Sequence, residues 1–190
     1  MDKSTIIVIA IVVIVLIVAG LLLMQRRRTE KLRSSFGPEY ERAVRETGDK
    51  RKAEAELQER QKRVEKLEIR PLDSKQRQEF TSEWQRVQAE FVDDPESSIR
   101  NADILLQEVM TARGYPVKNF DQVAADLSVD HPTVVEHFRA AHDIAVRHSH
   151  GEGDTEDLRN AMINYRKLFD ELVADRHEAR PQLAKTEEQR

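Results

Sequence analysis

The chain has 190 residues and a formal net charge of −4, and its composition is 35% charged but only 5% aromatic. This length suits one membrane segment and one compact domain, and this composition favours helical structure over a strand-rich sandwich. Cysteine is absent, which excludes a disulfide framework, a thiolate nucleophile and a zinc–thiolate cluster.

Basic and acidic residues are unevenly divided along the chain. Residues 25–70 contain 15 Lys and Arg against 10 Asp and Glu, whereas residues 71–190 contain 15 against 24. The corresponding balances are +5 and −9, so the proximal stretch is basic and the distal part is acidic.

An apolar run follows the short N-terminal tail of residues 1–5. Residues 6–24 read IIVIAIVVIVLIVAGLLLM, without a charged side chain. A helix of this length spans ~28 Å, close to the ~30 Å hydrocarbon core of a bilayer. A cleaved signal peptide fits less well, because the run is long and no small-x-small site follows it. The sequence therefore predicts a transmembrane helix over residues 6–24.

The charges that flank this run predict its orientation. Lys3 is alone before the run, which is followed by the basic residues Arg26, Arg27, Arg28, Lys31 and Arg33. Because basic flanks stay in the cytoplasm, we expect a single-pass protein of the cell membrane, with the N-terminus outside and the soluble domain cytoplasmic. The expected partners are the lipid bilayer and, through the basic cluster, anionic lipid headgroups.

Residues 25–70 are predicted to form a basic juxtamembrane and helical spacer. Pro38 suits the first position of one helix, and Gly48 with Asp49 marks the break before another over residues 50–68. Arg60 interrupts the heptad seam of that second helix, which consists of Ala53, Leu57, Val64 and Leu67. The seam spans under three heptads, so a weak coiled coil, a helix packed along the distal bundle and a solvated spacer all remain open.

Four longer amphipathic helices and one short one are predicted within residues 71–175. Capping and helix-opening residues mark where the longer helices start: Asp73 with Ser74, Asp94 with Pro95, Pro132, and Asp154 with Thr155. The short helix is expected near residues 120–127. Each longer helix has one apolar stripe, and such stripes are buried only against each other. The predicted fold class is therefore all-α, a compact helical bundle followed by a disordered tail over residues 176–190.

Five of the six histidines lie within residues 129–154. His131 and His142 share a helix face but lie ~16 Å apart along it, too far for one metal ion. The loop HSHGEGD could instead gather two imidazoles and two carboxylates, those of His148, His150, Glu152 and Asp154. Because the same residues fit a helix end followed by a capped helix, no metal site and no cofactor is predicted.

Two other classes of function are weighed against a binding role. Residues 122–139, QVAADLSVDHPTVVEHFR, resemble a helix-turn-helix, with Ser128 where glycine is usual. Few basic residues lie in this stretch and the distal part of the chain is acidic, so no nucleic-acid partner is expected. No nucleotide-binding or nucleophile-elbow motif occurs, so neither an enzyme nor a catalytic residue is predicted. A DNA-binding regulatory module and a metal-dependent enzyme remain the alternatives.

Three stretches resemble an uncharacterised family of bacterial single-pass membrane proteins with a helical soluble domain. They are FGPEYERAVRETGDKRKAEAELQERQKRVEKLEIRPL, FVDDPESSIRNADILLQEVMTARGYPV and AADLSVDHPTVVEHFRAAH, within a resemblance that covers about residues 36–172. The resemblance implies a bacterial origin, a membrane tether and a helical domain, and it supplies no catalytic or ligand residues. The predicted function is a membrane-anchored helical interaction or scaffold module with an unknown protein partner.

Overall fold

The computed structural model describes residues 3–174, with side chains described from residue 12 onward. This part of the chain forms eight α-helices and no strand. The helices are α1 (Lys3–Phe36), α2 (Pro38–Thr47), α3 (Lys50–Val64), α4 (Ser74–Glu90), α5 (Pro95–Ala112), α6 (Phe120–Asp130), α7 (Val135–Ser149) and α8 (Thr155–Val173). The predicted all-α class is confirmed.

The chain divides into two compact units, Met1–Glu59 and Arg60–Arg190, so the division falls within α3. The sequence places the boundary later, at residues 70 and 71. The difference arises because the last turn of α3 is tied to α6. Arg60 Nη1 donates to Ser128 Oγ at 3.3 Å, and Arg63 Nε donates to Asp126 Oδ1 at 2.7 Å. Arg60, which interrupts the heptad seam, is thus a buried contact of the distal unit.

In the first unit, α1 carries both the apolar run and the basic cluster. The apolar side chains of α1 are exposed from Val12 to Met24. Among the residues with described side chains, no helix is both long and apolar enough to cross a membrane.

Two predictions are corrected by this finding. The structure does not support a transmembrane helix over residues 6–24, of which residues 6–11 lie outside the described side chains. It equally does not support a single-pass location in the cell membrane with the N-terminus outside and a cytoplasmic domain. Residues 1–2 of the predicted N-terminal tail, and the whole predicted tail over residues 176–190, lie outside the described residues.

In the first unit, the carboxylate of Glu54 on α3 connects α1 and α2 by hydrogen bonds. The hydroxyls of Thr29 and Tyr40 both donate to Glu54 Oε1 at 2.8 Å. Burial, with this hydrogen bond, raises the pKa of Tyr40 to about 12. Pro38 begins α2 and Gly48, at φ 67°, ends it, as the sequence predicts.

The core of the distal unit is centred on α8, which packs against α7, α5 and α4. Trp84 of α4 stacks on Phe169 of α8, with ring centroids 4.5 Å apart. Seven side chains of α8 are buried: Leu158, Ala161, Met162, Tyr165, Leu168, Phe169 and Leu172. They come from one stripe, and their burial is what orders the other helices around α8.

The predicted helix starts of the distal unit are confirmed at three of four places. Three aspartates cap helices by accepting a hydrogen bond from a backbone N–H group. Asp73 accepts from Gln76, Asp94 from Ser97 and Asp154 from Asp157. The exception is α7, which begins at Val135 and not at Pro132. Residues 131–134 form a turn instead, in which the His131 carbonyl accepts from the backbone N–H groups of Val134 and Val135.

Candidate functional site

The outward face of α5 lies between two grooves, and Ile104 lines both of them. The side chain of Ile104 is 54% exposed. The buried stripe of α5 includes Ala102, Leu105 and Leu106 on the opposite side of the helix. Since each residue turns the helix by ~100°, position 104 falls outside that stripe. We call Ile104 and the two grooves beside it the α5 face.

The first groove runs between α4 and α5 and has a volume of about 640 Å³. Val87 and Leu105 give it a buried apolar floor. One guanidinium, that of Arg86, faces four carboxylates, those of Glu83, Glu90, Asp93 and Glu108. Arg86 is paired with Glu83. The charge balance of this acidic groove is therefore −3.

The second groove runs between α5 and α7 and has a volume of about 550 Å³. Buried Ile99, Leu158 and Tyr165 line it, together with Val146, which is 40% exposed. Its charged residues, Glu96, Arg100 and Asp103, leave a balance of −1 with the histidines counted as neutral. The carboxylate of Glu96 lies 4.0 Å from Arg100 and 3.9 Å from His148. This groove is therefore more apolar in character than the acidic groove.

A smaller pocket of about 270 Å³ continues from the second groove, since Asp103 and His142 line both. Its apolar lining consists of Met110, Val117, Phe120, Val123 and Phe138. The imidazole of His142 stacks on the ring of Phe120, with centroids 3.6 Å apart and planes 9° apart. We call this cavity the ring pocket.

The carboxylate of Asp103 is held at the junction of the second groove and the ring pocket. Tyr165 Oη donates to Oδ1 at 3.1 Å, and Gln107 Nε2 donates to Oδ2 at 2.7 Å. Burial raises the pKa of Tyr165 well above its usual range, and the nearby Asp103 charge raises it further. The phenol therefore stays protonated as a donor. Each carboxylate oxygen keeps a lone pair that can accept another hydrogen bond.

The predicted loop candidates for metal binding are placed in different surroundings. His148 lies in the second groove beside Glu96, while Asp154 caps α8 by accepting from the Asp157 backbone N–H at 2.9 Å. His150 and Glu152 are exposed. In residues 3–174, no group of three or more His, Cys, Asp or Glu side chains is placed to hold a metal ion.

The predicted basic cluster lies on the second half of α1, where its five side chains are exposed. Arg28 donates to Gln58, and Arg33 pairs with Glu41 at 2.7 Å, both within the first unit. Arg26, Arg27 and Lys31 share the same exposed helix. The binding of anionic lipid headgroups by this cluster stays a prediction.

The α5 face and the ring pocket were not predicted from the sequence. The available signal was Ile104 itself, an apolar residue outside the inward stripe of a well-patterned helix. The grooves beside it depend on which helices become neighbours of α5, and periodicity within one helix does not contain that information.

No protein-family model, no curated protein and no solved structure matches this chain. The resemblance to a family of bacterial membrane proteins stays a prediction. What the distal unit does is therefore inferred from the geometry of the α5 face.

Proposed function

We propose that the distal unit is a protein-interaction module that acts by binding and not by catalysis. Its ligand is a basic amphipathic helical segment of a protein partner, which lies along the α5 face. The observation that carries this proposal is the exposure of Ile104 between two grooves, one of which is acidic.

The apolar contribution to binding comes from Ile104 and Val146. Both are large side chains exposed on the rim of the second groove, at 54% and 40%. Covering apolar surface contributes roughly 25 cal/mol per Å². An amphipathic helix that binds in a groove contacts it through apolar side chains spaced three or four residues apart. Side chains with this spacing can cover Ile104 and Val146 together.

The charge of the partner follows from the acidic groove. Its balance is −3, and residues 71–190 as a whole have a balance of −9. A basic segment is attracted by this field, and an acidic segment of the same apolar pattern is repelled.

An 18-residue peptide with a leucine face and a lysine face tests the proposal against the full-length chain. We expect fluorescence anisotropy to show saturable binding that weakens as salt is raised, because the groove and the peptide carry opposite charges. A matched leucine–glutamate peptide should bind at least tenfold more weakly. Ile104→Ser should weaken binding of the lysine peptide about five- to tenfold, since an apolar anchor is lost.

The control variant is Ile163→Ser on α8. Ile163 is 49% exposed, much like Ile104, and it lines none of the grooves of the α5 face. Its substitution should leave the affinity unchanged. Equal losses for the two variants, or equal affinity for the lysine and glutamate peptides, would contradict the proposal.

A further inference from the structure

We infer that the ring pocket is a receptor for one arginine side chain of the partner segment, with Asp103 as the acceptor of its guanidinium. This inference rests on the proposed function, because the arginine is delivered by the segment that lies on the α5 face. It adds the chemical identity of one residue in the partner.

The size of the ring pocket favours a single side chain. Its volume of about 270 Å³ lies below the ~300–1,000 Å³ of pockets that hold whole drug-sized ligands. Met110, Val117 and Val123 offer apolar surface to the methylene stem of a long side chain.

The aromatic lining favours a planar cation. Phe120 and His142 both line the pocket, and they form a nearly parallel ring pair. A guanidinium stacks on aromatic faces and is weakly hydrated, whereas an ammonium is a strongly hydrated point charge. The ring pair therefore discriminates between arginine and lysine.

The carboxylate of Asp103 supplies the counter-charge. Tyr165 and Gln107 hold one oxygen each, so the carboxylate is oriented before a ligand arrives. The remaining lone pairs suit the two parallel N–H donors of a guanidinium.

The position of Asp103 connects the pocket to the proposed docking surface. Asp103 directly precedes Ile104 on α5, and both line the second groove. An arginine within one helical turn of the apolar residue that covers Ile104 is close enough in sequence to enter the pocket.

The first test compares the lysine peptide with a matched peptide in which every lysine is replaced by arginine, using the full-length chain. The arginine peptide should bind at least fivefold more tightly. Asp103→Asn removes the charge but keeps an acceptor oxygen for Tyr165, and Gln107 can turn its amide so that its oxygen accepts from the new Nδ2. This variant should reduce the preference to less than twofold. Asp143→Asn, at an exposed position of α7 that lines none of these cavities, should preserve the preference.

The second test uses Lys118, whose exposed ammonium lies at the same pocket. If a guanidinium occupies the pocket, Lys118→Ala should tighten binding of the arginine peptide about twofold, because a like charge is removed. A weaker complex after this change would mean that the pocket receives an anion, and it would overturn the inference.

The outcomes separate the two proposals. Equal affinity for the arginine and lysine peptides, with the dependence on Ile104 retained, overturns the arginine receptor and leaves the interaction module in place. Binding of neither peptide overturns both. A preference for arginine that persists in Asp103→Asn overturns the assignment of Asp103 as acceptor.

Discussion

At the scale of single residues, His131 links the C-terminal end of α6 to the last turns of α8. Its Nδ1 lies 3.3 Å from Glu171 Oε1 on α8, and the neighbouring Asp130 accepts from Tyr115 Oη at 2.9 Å. Burial lowers the pKa of His131, and the nearby charge of Arg113 lowers it further. The hydrogen bond with Glu171 and the charge of Asp130 act in the opposite direction, and the net shift is downward.

This shift predicts that acid destabilises the distal unit through His131. The unfolded chain protonates this imidazole near pH 6.5, whereas the folded chain does so at lower pH. Below about pH 6.5 the unfolded state therefore binds more protons than the folded state. The free energy of unfolding consequently decreases as the pH is lowered. In urea titrations between pH 7.5 and 5.5, His131→Gln should lose less stability than the wild type. Parallel losses in the two proteins would show that His131 is not the group responsible.

Gly114 occupies a position that no other residue fills without strain. Its φ is +96°, and a Cβ there would lie 2.4 Å from the backbone oxygen of Glu68. Gly114→Ala should cost roughly 2–4 kcal/mol, because it combines a disfavoured backbone with a steric clash. Gly151, at φ +79° with open space around it, is the matched control. Gly151→Ala should cost only about 1–2 kcal/mol in the same urea titration. Equal costs would contradict the close approach of Glu68 to Gly114.

At the scale of helices, α3 and α6 are joined through the carboxylate of Asp126. This side chain is almost completely buried and accepts from Arg63 Nε at 2.7 Å and from Gln122 Nε2 at 2.9 Å. The guanidinium of Arg63 is partly exposed, at 39%. The pair thus fastens the last turn of α3 to α6 within the distal unit.

A double-mutant cycle measures this link. Arg63→Met leaves a buried carboxylate with one neutral donor and should cost roughly 2–3 kcal/mol, somewhat less than a fully buried pair would. Asp126→Leu in addition removes the buried charge, so the double variant should be more stable than Arg63→Met alone. Additive losses in chemical denaturation would show that the two side chains do not interact.

The sequence predicts the helices of the distal unit well because their signals are local. Asp73, Asp94 and Asp154 lie beside the residues that they cap, so a short window of sequence contains the information. The contact between Arg60 and Ser128 joins residues 68 positions apart, and no local pattern indicates it. The same reason explains why the α5 face and the ring pocket are visible only in the structure.

At the scale of the whole molecule, the charge is divided along the sequence. Residues 25–70 have a balance of +5 and residues 71–190 a balance of −9. The acidic groove beside Ile104 contains part of the negative charge of residues 71–190. The proposed role in binding combines the acidic charge with the exposed apolar side chains of Ile104 on α5 and Val146 on α7.

The most direct test of this account maps where the lysine peptide touches the full-length chain. A photoreactive leucine analogue in the apolar face of the peptide would be cross-linked by light, and the labelled residues identified by mass spectrometry. The account predicts labels concentrated in α5 around Ile104 and in the adjoining parts of α4 and α7, and their loss in Ile104→Ser. Labels concentrated on the outer side of α8 around Ile163, or spread along residues 12–24 of α1, would contradict it.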